Sequence, residues 1–269
     1  MPSWSERLWN TSLASLTRAV RRRWQRATAQ PAWHRVATGP LAGAELCFTN
    51  VTQGGWREMV AGTFDSFLYR ELAARRDVKG AVCWDVGAHF GYHSLGFAAL
   101  GAQVVAFEPN PHNAARLRAN LARNPRLAGR VRVRPEALAN IDGPIQFVQS
   151  ADLAETSSGS HLADAVAPAP DFIYENFERV PVTGARADTL LASGEAPPAV
   201  MKIDVEGAEQ LVLEGARGLL LRHKPLLLME VHHIRLMYHL PPLLAGLGYR
   251  CQLVNEQHAE PSRCFLVAE

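Results

Sequence analysis

Residues 82–94, Val-Cys-Trp-Asp-Val-Gly-Ala-His-Phe-Gly-Tyr-His-Ser, constrain this chain more than any other stretch. They read as a buried strand that runs into a glycine-rich turn and then opens a helix. A second apolar run, Val104-Val-Ala-Phe107, ends in Glu108 and is stopped by Pro109 and Pro111. Glycines let backbone approach a bulky polar ligand. A helix N-terminus supplies unpaired N–H groups, and a strand-end carboxylate grips ribose hydroxyls. The spacing is D-x-G-x-x-x-G, not the G-x-G-x-x-G of a dinucleotide site, and this favours S-adenosyl-L-methionine over NAD.

Strands and helices alternate through most of the chain. Strands are expected at 81–86, 103–107, 131–135, 199–204 and 225–231, with helices at 66–76, 92–100, 112–123, 207–221 and 234–247. Val, Leu and Ile fill the strand runs, as expected for a parallel sheet covered on both faces. Tyr249–Val254 and Cys264–Val267 read as a closing antiparallel hairpin, and 36–50 as a short β segment. The fold class is α/β, a doubly wound Rossmann-like sheet of seven strands. Residues 36–269 form the domain, and residues 1–35 form an N-terminal helical extension.

Trp4, Leu8, Leu13, Leu16, Val20 and Trp24 recur at helical spacing, with Arg18, Arg21, Arg22, Arg23 and Arg26 beside them. Residues 1–28 are therefore either a peripheral docking helix for an anionic membrane surface or a protein partner, or an ordinary packing helix with a basic face. The Ser-, Ala- and Pro-rich stretch 150–178 reads as a lid-like insertion. No apolar run approaches ~18 residues, and no signal peptide is visible, so a cytoplasmic location is expected, peripheral at the inner membrane surface if the helix docks there. Cys47, Cys83, Cys251 and Cys264 form no C-x-x-C pair; free thiols fit better than a Cys251–Cys264 bridge, and zinc is not expected.

Two further strands end in ionisable residues. In Val200-Met-Lys202-Ile-Asp204-Val-Glu206-Gly207-Ala-Glu209, the charges at 202, 204 and 206 share one face while the chain stays extended. Asp204 reads as a site residue, whereas Glu206 and Glu209 read as ordinary acids at a helix start. In Leu226-Leu-Leu-Met-Glu230-Val-His232, Glu230 and His232 lie two apart and can face one cleft. Within the first motif, Asp85 can hold the turn or meet the cofactor's amino group. Gly87 and Gly91 allow close approach. Asn110 can cap the helix that follows Glu108.

The motifs D-V-G-A-H-F-G-Y-H-S, F-E-P-N-P, K-I-D-V-E-G-A-E-Q-L-V-L-E-G-A and P-L-L-L-M-E-V-H resemble the FkbM family of class I methyltransferases, from about Gly62 to Tyr249. The resemblance implies an S-adenosylmethionine-dependent O-methyltransferase acting on sugar or polyketide hydroxyls. It implies cofactor contacts at Asp85, Gly87, His89, Gly91, Glu108, Asn110 and the Glu136–Ala137 step beside the adenine. The family usually has Asn where this chain has His89, so altered contacts are expected there.

For the reaction, His232 is the expected base, with Asp204 and Glu230 lining the same acceptor pocket. The alternative is a magnesium ion on Asp204 and Glu230 that lowers the hydroxyl's pKa; the metal-free base is preferred. A catalytically silent cofactor-binding protein on the same fold is the competing reading. A nicotinamide enzyme is disfavoured by the missing G-x-G. A nucleic-acid methyltransferase is disfavoured because the sheet domain lacks a basic stripe.

Overall fold

The computed structural model describes residues 31–48, 55–150, 160–165, 177–254 and 264–269. The expected N-terminal helix over residues 1–28 and most of the 150–178 insertion lie outside the described residues.

Seven strands make the central sheet: β3 (Val82–Val86), β4 (Gln103–Phe107), β5 (Val131–Arg134), β10 (Val200–Ile203), β11 (Leu226–Val231), β12 (Cys251–Val254) and β13 (Cys264–Ala268). Their spatial order is β12-β13-β11-β10-β3-β4-β5. The five from β11 to β5 run parallel, and β13 inserts antiparallel between β12 and β11. The seven-stranded doubly wound sheet is the architecture expected from the sequence. The hairpin register pairs Cys251 with Ala268 and Cys264 with Val231, and all four cysteines are free.

Because side chains alternate along a strand, each strand contributes to two layers. Trp84, Val105, Phe107, Met201, Ile203, Leu227 and Met229 face one side. There they meet α6 (Ala187–Ala192), α7 (Glu209–Gly215), α8 (Arg217–His223) and α9 (Ile234–Gly246). Cys83, Val104, Val200, Leu226 and Leu228 face the other side, against α2 (Ser66–Arg75) and α3 (Tyr92–Ala99). Ala106 packs there with Leu117 and Leu121 of α4 (Pro111–Arg123). Continuing the alternation on this second face puts Asp85, Glu108, Lys202, Asp204, Glu230 and His232 at the carboxyl ends of four neighbouring strands. Ligands of open α/β sheets bind at that edge.

Two small sheets flank the main one. β1 (Ala32–Arg35) and β2 (Glu45–Phe48) form an antiparallel pair. The pair is tied to α4 where Asn120 Oδ1 accepts the Cys47 N–H at 2.7 Å and Asn124 Oδ1 accepts the Glu45 N–H at 3.0 Å. A short α1 (Trp56–Ala61) follows, and α5 (Pro125–Ala128) joins α4 to β5. The second small sheet was not foreseen. β7 (Gly143–Ser150) pairs antiparallel with β9 (Phe177–Ala185) over its whole length, with β6 (Ala137–Leu138) and β8 (His161–Leu162) on its edges. The region read as an irregular insertion from 150 to 178 is therefore framed by two paired strands. The expected single helix over 207–221 is two helices that break at Ala216.

Trp84 is fully buried at the sheet centre, its ring 5.2 Å from that of Phe107. Trp84→Ala should cost about 3–5 kcal/mol in urea unfolding, as truncations of large buried rings do. A cost near 1 kcal/mol would contradict this placement of the core.

Candidate active site

The turn after β3 is shaped by backbone that only glycine adopts cheaply. Gly87 has φ 80°, and a Cβ there would lie 1.9 Å from the Asp204 carbonyl oxygen. The turn thus packs directly on the end of β10. Gly91, at φ 91°, precedes α3. His89 between them is also left-handed, at φ 52°, an uncommon state for a residue with a side chain.

Glu108 leaves β4 and turns under this loop. Its Oε2 accepts the His89 N–H at 2.7 Å, and its Oε1 accepts the Asn110 N–H at 2.9 Å and a longer bond from Asn113 Nδ2 at 3.4 Å. Glu108 is only 4% exposed. Burial pushes its carboxyl up to about 7, against the pull of these hydrogen bonds and of Lys202. Asn110 caps α4 as expected, its Oδ1 accepting from the His112 and Asn113 N–H groups at 2.9 and 3.2 Å. Its Nδ2 also donates to Ser160 Oγ at 3.3 Å, joining the cap to the described part of the insertion.

Asp85 meets side chains rather than the backbone N–H groups of the turn. It is fully buried, accepts Ser94 Oγ–H at 2.5 Å and stands 3.4 Å from Lys202 Nζ. It fastens α3 and β10 to the turn. Glu136 is paired with Arg134, and Ala137 is buried in β6.

The second half of the site surrounds His232. Its Nδ1 meets Glu209 Oε1 at 2.8 Å. Its Nε2 stands 3.4 Å from Glu230, 3.5 Å from Asp204 and 3.6 Å from Glu206. Asp204 and His232 thus stand side by side at the ends of neighbouring strands. Burial alone would lower the His232 pKa, but Glu206, Glu209 and Glu230 raise it well above its ordinary value. The surrounding acids thus favour its protonated form, which works against the base role expected for it from the sequence. Burial would raise Asp204, yet Lys202 Nζ at 3.1 Å and His232 bring it down to about 2.

Sequence reasoning passed over Glu206 and Glu209. Glu209 is fully buried, and besides His232 its Oε1 accepts the Gly207 N–H at 3.1 Å. Glu206 has φ 52°, so the chain is no longer extended there, yet its carboxyl still reaches His232. Burial, together with Asp204, Glu230 and Glu209, pushes Glu206 up to about 7 despite His232. The available signal was four acids and one histidine closing two adjacent apolar strands.

His89 is the electrostatic opposite of His232. Burial lowers it to about 4, with Lys202 adding to the shift and Asp204 opposing it, and its Nε2 is buried without a hydrogen-bond partner. The shift favours a neutral imidazole in the turn after β3.

Asp204, Glu230 and His232 bring ligand-type atoms within 4.8 Å of one another. The charges there are already answered from within the chain: Lys202 faces Asp204, and protonated His232 faces Asp204 and Glu230. A metal ion there would compete with Lys202 and His232 for the same carboxylates.

The family described as "Methyltransferase FkbM domain" matches residues 85–251. The hexuronic acid methyltransferase AglP of Haloferax volcanii is 33% identical over 210 residues, which cover 74% of this chain and 79% of that protein. A solved FkbM methyltransferase of Methylobacillus flagellatus superimposes with a TM-score of 0.53 at 20% identity, over 75% of this chain and 47% of that one. The chain spans about half the length of that structure, and a likeness at this identity concerns the fold alone.

The two histidines should separate in an NMR titration of the imidazole nitrogens. His232 should stay protonated through neutral pH and His89 neutral down to about 4. Glu209→Gln should move the His232 titration down, because a neutral amide replaces the carboxylate that partners the charged imidazolium. An unshifted His232 titration in that variant would contradict the geometry.

Proposed function

The chain belongs to the FkbM family of methyltransferases, and from that premise we propose that it transfers a methyl group from S-adenosylmethionine to a hydroxyl of a sugar, with hexuronic acids as the acceptor class. The observation that carries the reading is Glu108. It is a buried strand-end carboxylate held by two backbone N–H groups, with no cationic side chain in contact among the described residues. Such a carboxylate keeps acceptor capacity for a pair of hydroxyls. The acceptor class is supported by the name of the Haloferax relative.

The residues fit the cofactor. Glu108 would hold its ribose, the Gly87–Gly91 turn would admit its bulk against backbone, and Ala137 with Glu136 would border the adenine. The bound cofactor supplies an electrophilic methyl group on a sulfonium; the chain supplies position and electrostatics. Asp204, Glu230 and His232 line the acceptor side. His232 as a cation balances the acids around it, and Lys202 fixes Asp204 in place. The reaction is read as metal-free, so chelators should leave turnover unchanged.

The experiment is mass spectrometry of free and glycosidically linked hexuronic acids incubated with protein and S-adenosylmethionine. A gain of one methyl in base-stable, ether-linked form supports the reading. A base-labile product would move the acceptor atom from hydroxyl to carboxylate. Cofactor binding without any product would favour the silent cofactor-binding alternative.

A pH dependence follows from Glu108. Ribose hydroxyls donate best to the ionised carboxylate, and burial holds that carboxyl near 7. Cofactor affinity should therefore fall as pH drops below about 7, by at most roughly tenfold per unit, and level off above it. Glu108→Gln should bind about 1.5–3 kcal/mol more weakly at pH 8 and lose the slope. Calorimetry showing the same slope in both proteins would contradict the assignment.

A further inference from the structure

We propose that Glu206 is the residue that takes the proton from the acceptor hydroxyl. The proposal rests on the methyl-transfer reading above for its reaction, and on the following geometry for the residue.

Glu206 stands where β10 breaks beside the cofactor turn, two residues after Asp204, whose carbonyl oxygen abuts Gly87. Its φ of 52° and the 97° of Gly207 make two successive left-handed residues. A glutamate in that region stores strain and persists only where its surroundings impose it, and such residues cluster at functional sites. The turn aims its carboxyl at the face of His232 rather than at solvent. Glu206 Oε2 is buried with no hydrogen-bond partner, while the side chain as a whole keeps 19% exposure. The inner oxygen is thus held only by the charge of His232, and the side chain keeps an exposed edge.

The neighbouring groups are less suited. Asp204 is engaged by Lys202 at 3.1 Å and is held down to about 2, too weak a base for an alcohol. Glu209 is fully buried and bonded to His232 Nδ1 and the Gly207 N–H. Glu230 takes part in holding His232. His232 already carries its proton. His89 is neutral, but at about 4 it is a poor acceptor. Glu206, raised by burial and by Asp204, Glu230 and Glu209 to about 7, is matched to work near neutrality. His232 is then a positioning residue: its positive charge keeps Glu206 ionised enough to accept a proton.

The step balances. Glu206 takes the hydroxyl proton, and the electron pair left on the acceptor oxygen forms the new bond to the methyl carbon. Sulfur keeps the pair from the broken carbon–sulfur bond and loses its positive charge. Glu206 then returns the proton to water through its exposed edge.

The test compares wild type with Glu206→Gln, which keeps shape and removes basicity. Infrared difference spectra of the cofactor-free proteins, taken between acidic and alkaline pH, should show two carboxyl signals that titrate near neutrality in wild type, those of Glu108 and Glu206, and only the Glu108 signal in the variant. On the uronic acid panel, kcat should fall ~10²–10⁴-fold with cofactor affinity unchanged. An acceptor whose hydroxyl is already ionised should recover most of the loss. The proposal is overturned if both neutral-pH carboxyl signals persist in Glu206→Gln, or if the variant keeps kcat within a factor of a few. Should wild type methylate no uronic acid, the acceptor reading falls, and the infrared comparison still decides whether Glu206 is the second neutral-pH acid beside Glu108.

Discussion

Lys202 joins the two halves of this site. It is buried on a central strand, and its ammonium reaches Asp85 at 3.4 Å, Asp204 at 3.1 Å and the Gly87 carbonyl oxygen at 3.1 Å. Asp85 ends β3 beside the glycine turn and Asp204 belongs to the acid cluster, so one cation ties the two together. Removing one partner of a buried pair leaves an uncompensated charge, typically at a cost of about 3–5 kcal/mol. Burial would strip the Lys202 proton, but Asp204 and Asp85 raise its pKa instead, so the cation is permanent. The turn cannot shift without disturbing the cluster.

Around that fixed charge the ionisable groups are pushed apart. Glu108 and Glu206 are raised by burial to about 7, and Asp204 is brought down to about 2. His232 is raised and His89 lowered. Neighbouring groups with divergent proton affinities are a mark of acid–base work. The divergence arises from simple placement. Alternation along four parallel strands brings acids from separate motifs to one edge of one sheet face, where burial is deep and counter-charges are few.

Much of this was legible in the chain. The strands, the sheet class, the acid at each strand end and the Asn110 cap follow from apolar periodicity and local capping chemistry. The β7–β9 sheet was not legible. Its strands carry Pro144, Pro181, Gly143 and Gly184, and their pairing joins residues far apart in sequence. Glu209 was missed for a related reason. An acid in the first turn of a helix reads as a dipole partner, and only the return of β11 beside β10 brings His232 against it. Glu206 was read as extended because its left-handed backbone is imposed by packing against the turn. The proton preference of His232 depends on three carboxylates, from the turn after β10, from α7 and from β11, which no single motif displays.

The most direct measurement is a crystal structure with S-adenosylhomocysteine bound. The account predicts both ribose hydroxyls within about 3 Å of Glu108, with the sulfur directed toward the pocket lined by Asp204, Glu206 and His232. A nucleoside bound elsewhere, or a sulfur turned away from that cluster, would contradict it.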